Sequence, residues 1–183
     1  DLLVHPEKIG DAKRAVVVGG GVVGCETAYW LTYEKGLAVD VIEMMPEFMD
    51  GACTANRGHL IYYLEKAKVR LLNCARVTGF EGGKVSYRRN VSKNRPDPYV
   101  TWTPILPKNI EVPFAPQLGC EEADGSLEAD LIVLAAGGRP DNAMYFEAQR
   151  ENAAPLIYNI GDSFEGRRVL EALVAVASAR GDT

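Results

Sequence analysis

The stretch Val16-Val17-Val18-Gly19-Gly20-Gly21-Val22-Val23-Gly24 decides the fold. The apolar, β-branched run at residues 15–18 ends at the glycines, which is typical of a strand covered on both faces in a parallel sheet. Residues 22–35 then place small and apolar side chains at helical spacing and end at Gly36. The stretch therefore predicts a strand, a glycine turn and a helix in direct succession.

The same alternation continues on the C-terminal side. Residues 38–42 predict a second strand, residues 54–67 a second helix and residues 69–72 a third strand. A βαβαβ order is typical of a doubly wound unit, in which the crossover helices cover both faces of the sheet. The first part of the chain is therefore predicted to form a Rossmann-like parallel sheet.

The pattern changes between residues 76 and 127, where short alternating pieces such as 84–88 and 110–114 are punctuated by prolines. This composition predicts a small antiparallel β-meander and a long exposed excursion. Regularity returns with a predicted strand at 129–136, a short strand at 156–160 and a last helix at about 167–179.

The predicted fold class is therefore α/β, a parallel βαβαβ sheet with an antiparallel meander and a C-terminal strand-helix segment. Residues 1–14 are expected to be a linker, and residues 15–155 a nucleotide-binding domain with an extended insertion at 84–128. Residues 156–183 would belong to a second domain.

The glycines at 19, 21 and 24 form a G-x-G-x-x-G motif, and its position between a buried strand and a helix is typical of a dinucleotide site. Gly19 would permit the tight turn, Gly21 the close approach of a pyrophosphate, and Gly24 close packing of helix and strand. The helix N-terminus supplies N–H groups and a partial positive charge for the phosphates. The loop residues Gly20, Val22 and Val23 are included in the predicted site.

Glu43 ends the second predicted strand, at about the separation from the glycine loop expected for the carboxylate that accepts from the adenosine ribose. A carboxylate there repels a 2′-phosphate, and no Arg or Lys lies between Val39 and Ala55. The sequence therefore favours NAD(H) over NADP(H). The alternative is a tight strand–helix turn with a surface Glu43 and no nucleotide. Met44 and Val77 are added to the predicted cofactor-binding residues.

Composition narrows the function further. A hydrophobic fraction of 47% with 25% charged residues is ordinary for a globular protein, and a net charge of −5 argues against a nucleic-acid partner. No apolar run approaches the roughly 20 residues of a membrane span, and the start does not resemble a signal peptide, so the cytoplasm is the expected location. The four cysteines form no CxxC pair and are expected to be buried, inert thiols. No metal site is predicted.

With these motifs, the closure Ala135-Ala136-Gly137-Gly138-Arg139-Pro140 and the run Asn159-Ile160-Gly161-Asp162, the chain resembles a known group. It is similar to the C-terminal region of NADH:flavin oxidoreductases of the enoate reductase and 2,4-dienoyl-CoA reductase family, a region similar to pyridine-nucleotide reductases and to trimethylamine dehydrogenase. The resemblance covers most of residues 14–83 and 128–180.

The resemblance implies a fragment of a flavoprotein that also carries FMN and a four-iron cluster, with FAD and the remaining domains as partners. Gly161 and Asp162 would begin the returning FAD segment, and Asp162 would contact the ribityl chain. Glu26 matches an acid near the nicotinamide. Gly137 and Gly138, with Ala136, would let the backbone pass close to the cofactor. As structural alternatives, Glu26 is a first-turn acid and Asp162 a turn residue or helix cap.

Three other functions stay open on the sequence. A trimethylamine dehydrogenase-like relative would hold a structural adenine nucleotide with much the same glycine loop. A disulfide-reductase-type NAD domain would carry its redox cysteines in another part of the chain. An interaction module would use the proline-rich residues 96–116. His5 and His59 lack a catalytic partner pattern and are expected at the surface.

Overall fold

The computed structural model describes residues 2–101, 117–138 and 141–157. The chain divides into two compact units, Asp1–Ala136 and Gly137–Thr183. In the described part of the chain, no helix has both the length and the apolar character that crossing a membrane requires.

The first unit contains a four-stranded parallel sheet in the order β3-β2-β1-β7. Its strands are β1 (Arg14–Val18), β2 (Ala38–Ile42), β3 (Arg70–Leu72) and β7 (Leu131–Leu134), and its helices are α1 (Val22–Tyr33) and α2 (Thr54–Lys66). The predicted βαβαβ order is confirmed. The strand predicted at 129–136 is shorter than expected, because Ala129 and Asp130 form the connection into it.

The burial of strand β1 on both faces explains why residues 15–18 are all apolar. Ala15 and Val17 lie in a buried cluster with α1 and α2, whereas Val16 lies in a second cluster with residues of the antiparallel sheet. All three are essentially inaccessible to solvent. Successive side chains of a strand point to opposite faces, so a strand covered on both faces carries no polar positions.

The predicted meander is also confirmed. It consists of β4 (Ala75–Glu81), β5 (Lys84–Asn90) and β6 (Glu122–Glu128), paired antiparallel in that order with an irregularity in β4 near Thr78. Val85 and Leu127 from this sheet pack with Val16 in the second cluster. The meander therefore covers the face of the parallel sheet opposite the helices.

Two segments differ from the sequence expectations. The predicted linker contains a 3-10 helix, Pro6–Ile9, and Leu2, Ile9 and Ala12 pack against the core. In the second unit, helix α3 (Ala143–Arg150) was not predicted, because its eight residues are too few for a periodic pattern to identify a helix; none of them is buried.

The remaining predictions lie partly or wholly outside the described residues. These are the piece at 110–114, the strand at 156–160 apart from its first two residues, and the helix at 167–179. Neither Leu156 nor Ile157 is in a strand.

Candidate functional site

The glycine turn lies where β1 meets the N-terminus of α1. Gly19 has φ +110°, a region that side-chain-bearing residues rarely adopt, and a Cβ there would overlap the carbonyl of Ala135 after β7. The N–H of Gly19 donates to Ile42 O at 2.8 Å. The first glycine therefore allows the turn to pass directly between β2 and the end of β7.

Gly24 occupies the first turn of α1 and is buried. A Cβ at this position would overlap the carbonyl oxygen of Gly19. The helix consequently packs on the backbone of the turn itself, which is the close approach that the motif predicts.

Gly20 contacts the β2–α2 loop (residues 43–53) through hydrogen bonds and close packing. Its N–H donates to Glu43 Oε2 at 2.6 Å, and its carbonyl accepts from the Met49 N–H at 2.8 Å. The ring of the fully buried Phe48 occupies the space that a Cβ of Gly20 would need. Sequence reasoning included Gly20 in the cofactor site but did not predict that it packs against this loop, although Phe48 and Met49, an apolar pair in a loop, are a signal for this contact.

The N-terminus of α1 is open to a ligand. The helix begins with the Cys25 N–H donating to Gly21 O at 3.0 Å, and its N-cap residue, Gly21, has no side chain that could cap it. The first amides of a helix have no intrahelical acceptor and carry the positive end of the helix dipole. Apart from its chain neighbours, no atom of the described residues lies within 4 Å of a Cβ built on Gly21. The turn therefore presents N–H groups to open space, which suits an anion.

Glu43 is half-buried directly beside this turn. Oε2 accepts from Gly20, and Oε1 accepts from the Met45 N–H at 2.7 Å. A carboxylate has about four acceptor sites, so lone pairs remain for the hydroxyl groups of a ligand. The structure thus brings Glu43 and the glycine turn together, as the sequence predicts.

Arg57, the arginine of α2, is not free to bind a ligand at this end of the sheet. The side chain of Arg57 is buried, and it donates from Nε to Phe48 O and from Nη1 to Val100 O, each at 2.9 Å. The guanidinium therefore binds backbone carbonyls of the protein itself, one in the β2–α2 loop and one in the segment that follows β5.

The other predicted site residues have varied surroundings. Met44, next to Glu43, has 67% of its surface exposed, whereas Val77 is half-buried in β4 and packs against the second cluster. Glu26 is exposed on α1, and Val22 and Val23 form its first turn. Ala136, Gly137 and Gly138 are exposed, the two glycines lie in the second unit, and Gly161 and Asp162 lie outside the described residues.

The cysteines correct one expectation. Cys25 is buried behind the glycine turn, its thiol donates to Gly20 O at 3.5 Å, and burial raises its pKa to about 12. This thiol stays protonated and inert. Cys53 and Cys120, in contrast, are exposed, so the prediction of four buried thiols was wrong.

Comparison with known proteins agrees with this geometry. Residues 3–179 match the family described as pyridine nucleotide-disulphide oxidoreductase. The chain is 32% identical to bilirubin reductase from Mediterraneibacter gnavus over 130 residues, which are 70% of the chain and 15% of that protein. It is 33% identical to cinnamate reductase from Clostridium sporogenes over 72 residues, 38% of the chain and 10% of that protein.

Among solved structures, a 2-naphthoyl-CoA reductase complex superposes with a TM-score of 0.64 at 20% identity. The match covers 92% of this chain and 21% of the other, and it supports the α/β fold with its parallel and antiparallel sheets. The chain thus spans less than a quarter of the length of each of these three proteins.

Proposed function

The chain belongs to the pyridine nucleotide-disulphide oxidoreductase family, whose members bind FAD and a pyridine nucleotide. From this premise we propose that it is the NAD(H)-binding part of a longer flavoprotein in which NADH reduces FAD. The turn at Gly19–Gly24 would hold the diphosphate, and Glu43 would hold the adenosine ribose. The observation that carries the proposal is the bond from the Gly20 N–H to Glu43, because it joins the two predicted subsites.

The residues present fit a dinucleotide. The uncapped N-terminus of α1 offers backbone N–H groups, and the space beside Gly21 leaves room for phosphate oxygens. Glu43 accepts but cannot donate, so it suits ribose hydroxyls and disfavours a 2′-phosphate. Arg57, the arginine nearest to Glu43 along the chain, donates to two carbonyls and does not supply a counter-charge. NAD(H) is therefore the proposed nucleotide.

When bound, NADH would supply a hydride, which carries two electrons and one proton, to FAD. This chain's part is to bind and orient the nucleotide. Glu26, exposed on α1, is proposed to lie near the nicotinamide, and Gly161 with Asp162 to join the FAD site. Ala136, Gly137, Gly138, Met44 and Val77 complete the proposed set.

The proposed substrate class is an activated carbon–carbon double bond, of the enoate or dienoyl type. Cinnamate, named in one relative, carries such a bond, and bilirubin is the compound named in the other. Following the resemblance to enoate and dienoyl-CoA reductases, we further propose FMN and a four-iron cluster in domains outside this chain. The boundary between the nucleotide-binding domain and the FAD segment is proposed at residues 155 and 156.

A structural adenine-nucleotide site is the second candidate. The contacts around Gly20 and Glu43 concern only the diphosphate and ribose, which ADP and NADH share. Calorimetric titration with NADH, NADPH, NAD⁺ and ADP distinguishes the two. Tighter binding of NADH than of ADP is expected for a redox-active site, whereas equal affinity would favour the structural one.

Substitution of Glu43 tests the selectivity directly. Glu43→Arg removes the ribose acceptor and supplies a cation, so NADH affinity should fall by about tenfold while NADPH gains relative to NADH. Glu43→Gln is the matched control, because it keeps one acceptor oxygen and removes the charge that repels a 2′-phosphate without adding a cation. It should weaken NADH binding and raise the NADPH-to-NADH ratio less than Glu43→Arg does. An unchanged NADPH-to-NADH ratio in Glu43→Arg would remove Glu43 from the site.

A further inference from the structure

Asn73, the residue directly after β3, is fully buried and makes hydrogen bonds with both ends of its side-chain amide. Its Nδ2 donates to Pro46 O and to Pro96 O, each at 2.8 Å. Its Oδ1 accepts from Arg89 Nη2 at 3.0 Å, and its backbone carbonyl accepts from Arg89 Nε at 3.0 Å. The side chain therefore has no unused donor.

The partners of Asn73 determine which residue type fits. Carbonyl oxygens only accept and a guanidinium only donates, so the position needs two donors on one branch and an acceptor on the other. Asparagine meets this requirement in one orientation. Aspartate has the same shape but would turn a carboxylate oxygen toward the carbonyls of Pro46 and Pro96.

The bonds of Asn73 join the nucleotide side of the sheet to the strap, defined as residues 91–101. Pro46 lies in the β2–α2 loop three residues after Glu43, and Pro96 lies in the middle of the strap. The preceding loop residues are held by backbone bonds, from Ala75 N–H to Glu43 O at 2.9 Å and from Cys74 N–H to Met45 O at 3.1 Å. The side chain of Asn73 supports the next residue along the loop.

A second buried side chain makes the same kind of connection. Arg57 bonds the carbonyl of Phe48 in the β2–α2 loop and the carbonyl of Val100 in the strap. Asn73 and Arg57 thus form two parallel bridges between the same two segments. Neither bridge depends on the local backbone pairing of the sheet, and both act on the loop that carries Glu43.

We propose that Asn73 is a positioning residue for the adenosine ribose. It holds the β2–α2 loop against the strap and so keeps the Glu43 carboxylate in place, with Arg57 as the parallel support. The strap then supports the nucleotide site by holding the β2–α2 loop in position. This inference rests on the proposed function, because it assumes that Glu43 accepts from ribose hydroxyls.

The test compares binding of ADP and 2′-deoxy-ADP by calorimetry. The two ligands differ only in the 2′-hydroxyl, which would donate a hydrogen bond to Glu43. The unsubstituted chain should prefer ADP by about tenfold. In Asn73→Asp the preference should fall to less than about threefold, since the carboxylate of Glu43 is no longer held in register. If the unsubstituted chain shows no preference, the proposed function fails, whatever the variant does.

Tyr99→Phe is the matched control. The Tyr99 hydroxyl lies in the same strap and makes two bonds, donating to Val69 O at 2.9 Å and accepting from Leu71 N–H at 3.0 Å, but neither bond reaches the β2–α2 loop. This variant should melt at a lower temperature and keep the preference for ADP. A preference retained in Asn73→Asp, or lost equally in Tyr99→Phe, would overturn the positioning role.

A variant of the second bridge keeps the test decisive if Asn73→Asp does not fold. Arg57→Met removes both of its bonds to Phe48 and Val100 while filling a similar volume. It should also reduce the preference for ADP over 2′-deoxy-ADP by at least threefold. A folded Arg57→Met that keeps the full preference would contradict the proposal.

Discussion

The glycine turn and the strap are held in place in opposite ways. Around Gly19, Gly20 and Gly24 the backbone is packed so closely that an added methyl group would overlap neighbouring atoms. The strap is joined to other segments by side-chain hydrogen bonds of Asn73, Arg57 and its own Tyr99, over separations of more than twenty residues. The glycine turn therefore depends on residues without a side chain, whereas the strap depends on particular polar side chains.

This difference predicts how each region responds to substitution. A site built from backbone contact has no room to relax, so adding atoms is costly. A site built from hydrogen bonds loses stability in steps, one for each donor or acceptor left unpaired. Substitutions in the turn should therefore have larger effects than those in the strap.

The largest effect is expected for Gly24→Ala. The new methyl group would overlap the Gly19 carbonyl, and we expect unfolding free energy to fall by about 3 kcal/mol, which exceeds the roughly 1 kcal/mol that alanine gains in a helix. Urea unfolding followed by circular dichroism measures the change.

Gly21→Ala is the control within the same motif. In residues 2–101, 117–138 and 141–157, no atom beyond its chain neighbours lies within 4 Å of the added Cβ, and its φ of −68° suits any residue. Its stability should stay within about 0.5 kcal/mol of the unsubstituted chain while NADH binding weakens, because the methyl group occupies the proposed phosphate space. Equal destabilisation of the two variants would contradict the packing account.

An intermediate effect is expected for Tyr99→Phe. Losing the hydroxyl leaves Val69 O and Leu71 N–H without this partner at the edge of β3, and we expect about 2 kcal/mol of lost stability. Hydrogen exchange should quicken at the Leu71 amide, with little change at β1. Uniform loss of protection through both sheets would show that the strap is not a local support.

The smallest effect is expected where the meander returns to the parallel sheet. The Lys13 and Arg14 N–H groups donate to Asp130 Oδ2 at 3.0 and 2.9 Å, and these bonds hold the pKa of Asp130 below its usual value near 3.8. A depressed pKa adds stability that is present above pH 3.8 and lost as the pH falls through the folded-state pKa.

Asp130→Asn therefore should lower the melting temperature slightly at neutral pH, and the difference should shrink below pH 3.8. Thermal melts of both proteins between pH 2 and 7 measure it, with buffers matched in ionic strength on the order of 0.1 M. A difference that stays constant through the acid range would exclude the Asp130 carboxylate as its source.

The same contrast explains what the sequence could predict. The strands at 15–18 and 38–42, the glycine turn and Glu43 follow from periodicity, glycine spacing and strand ends, which are local signals. Asn73 and Arg57 carry no such signal, because their partners lie in segments distant along the chain. Helix α3 was missed because its eight residues span little more than two turns, which is too short for periodicity to distinguish a helix from a loop.

The central claim is that the amides at the N-terminus of α1 bind a diphosphate while Glu43 binds the neighbouring ribose. Amide chemical shifts of the ¹⁵N-labelled chain, followed during titration with NADH, test it most directly. We predict the largest changes at Gly20, Gly21, Val22 and Val23, with Met45 also shifting as Glu43 is engaged. Changes confined to the meander or to α2, with none from Gly19 to Gly24, would contradict it.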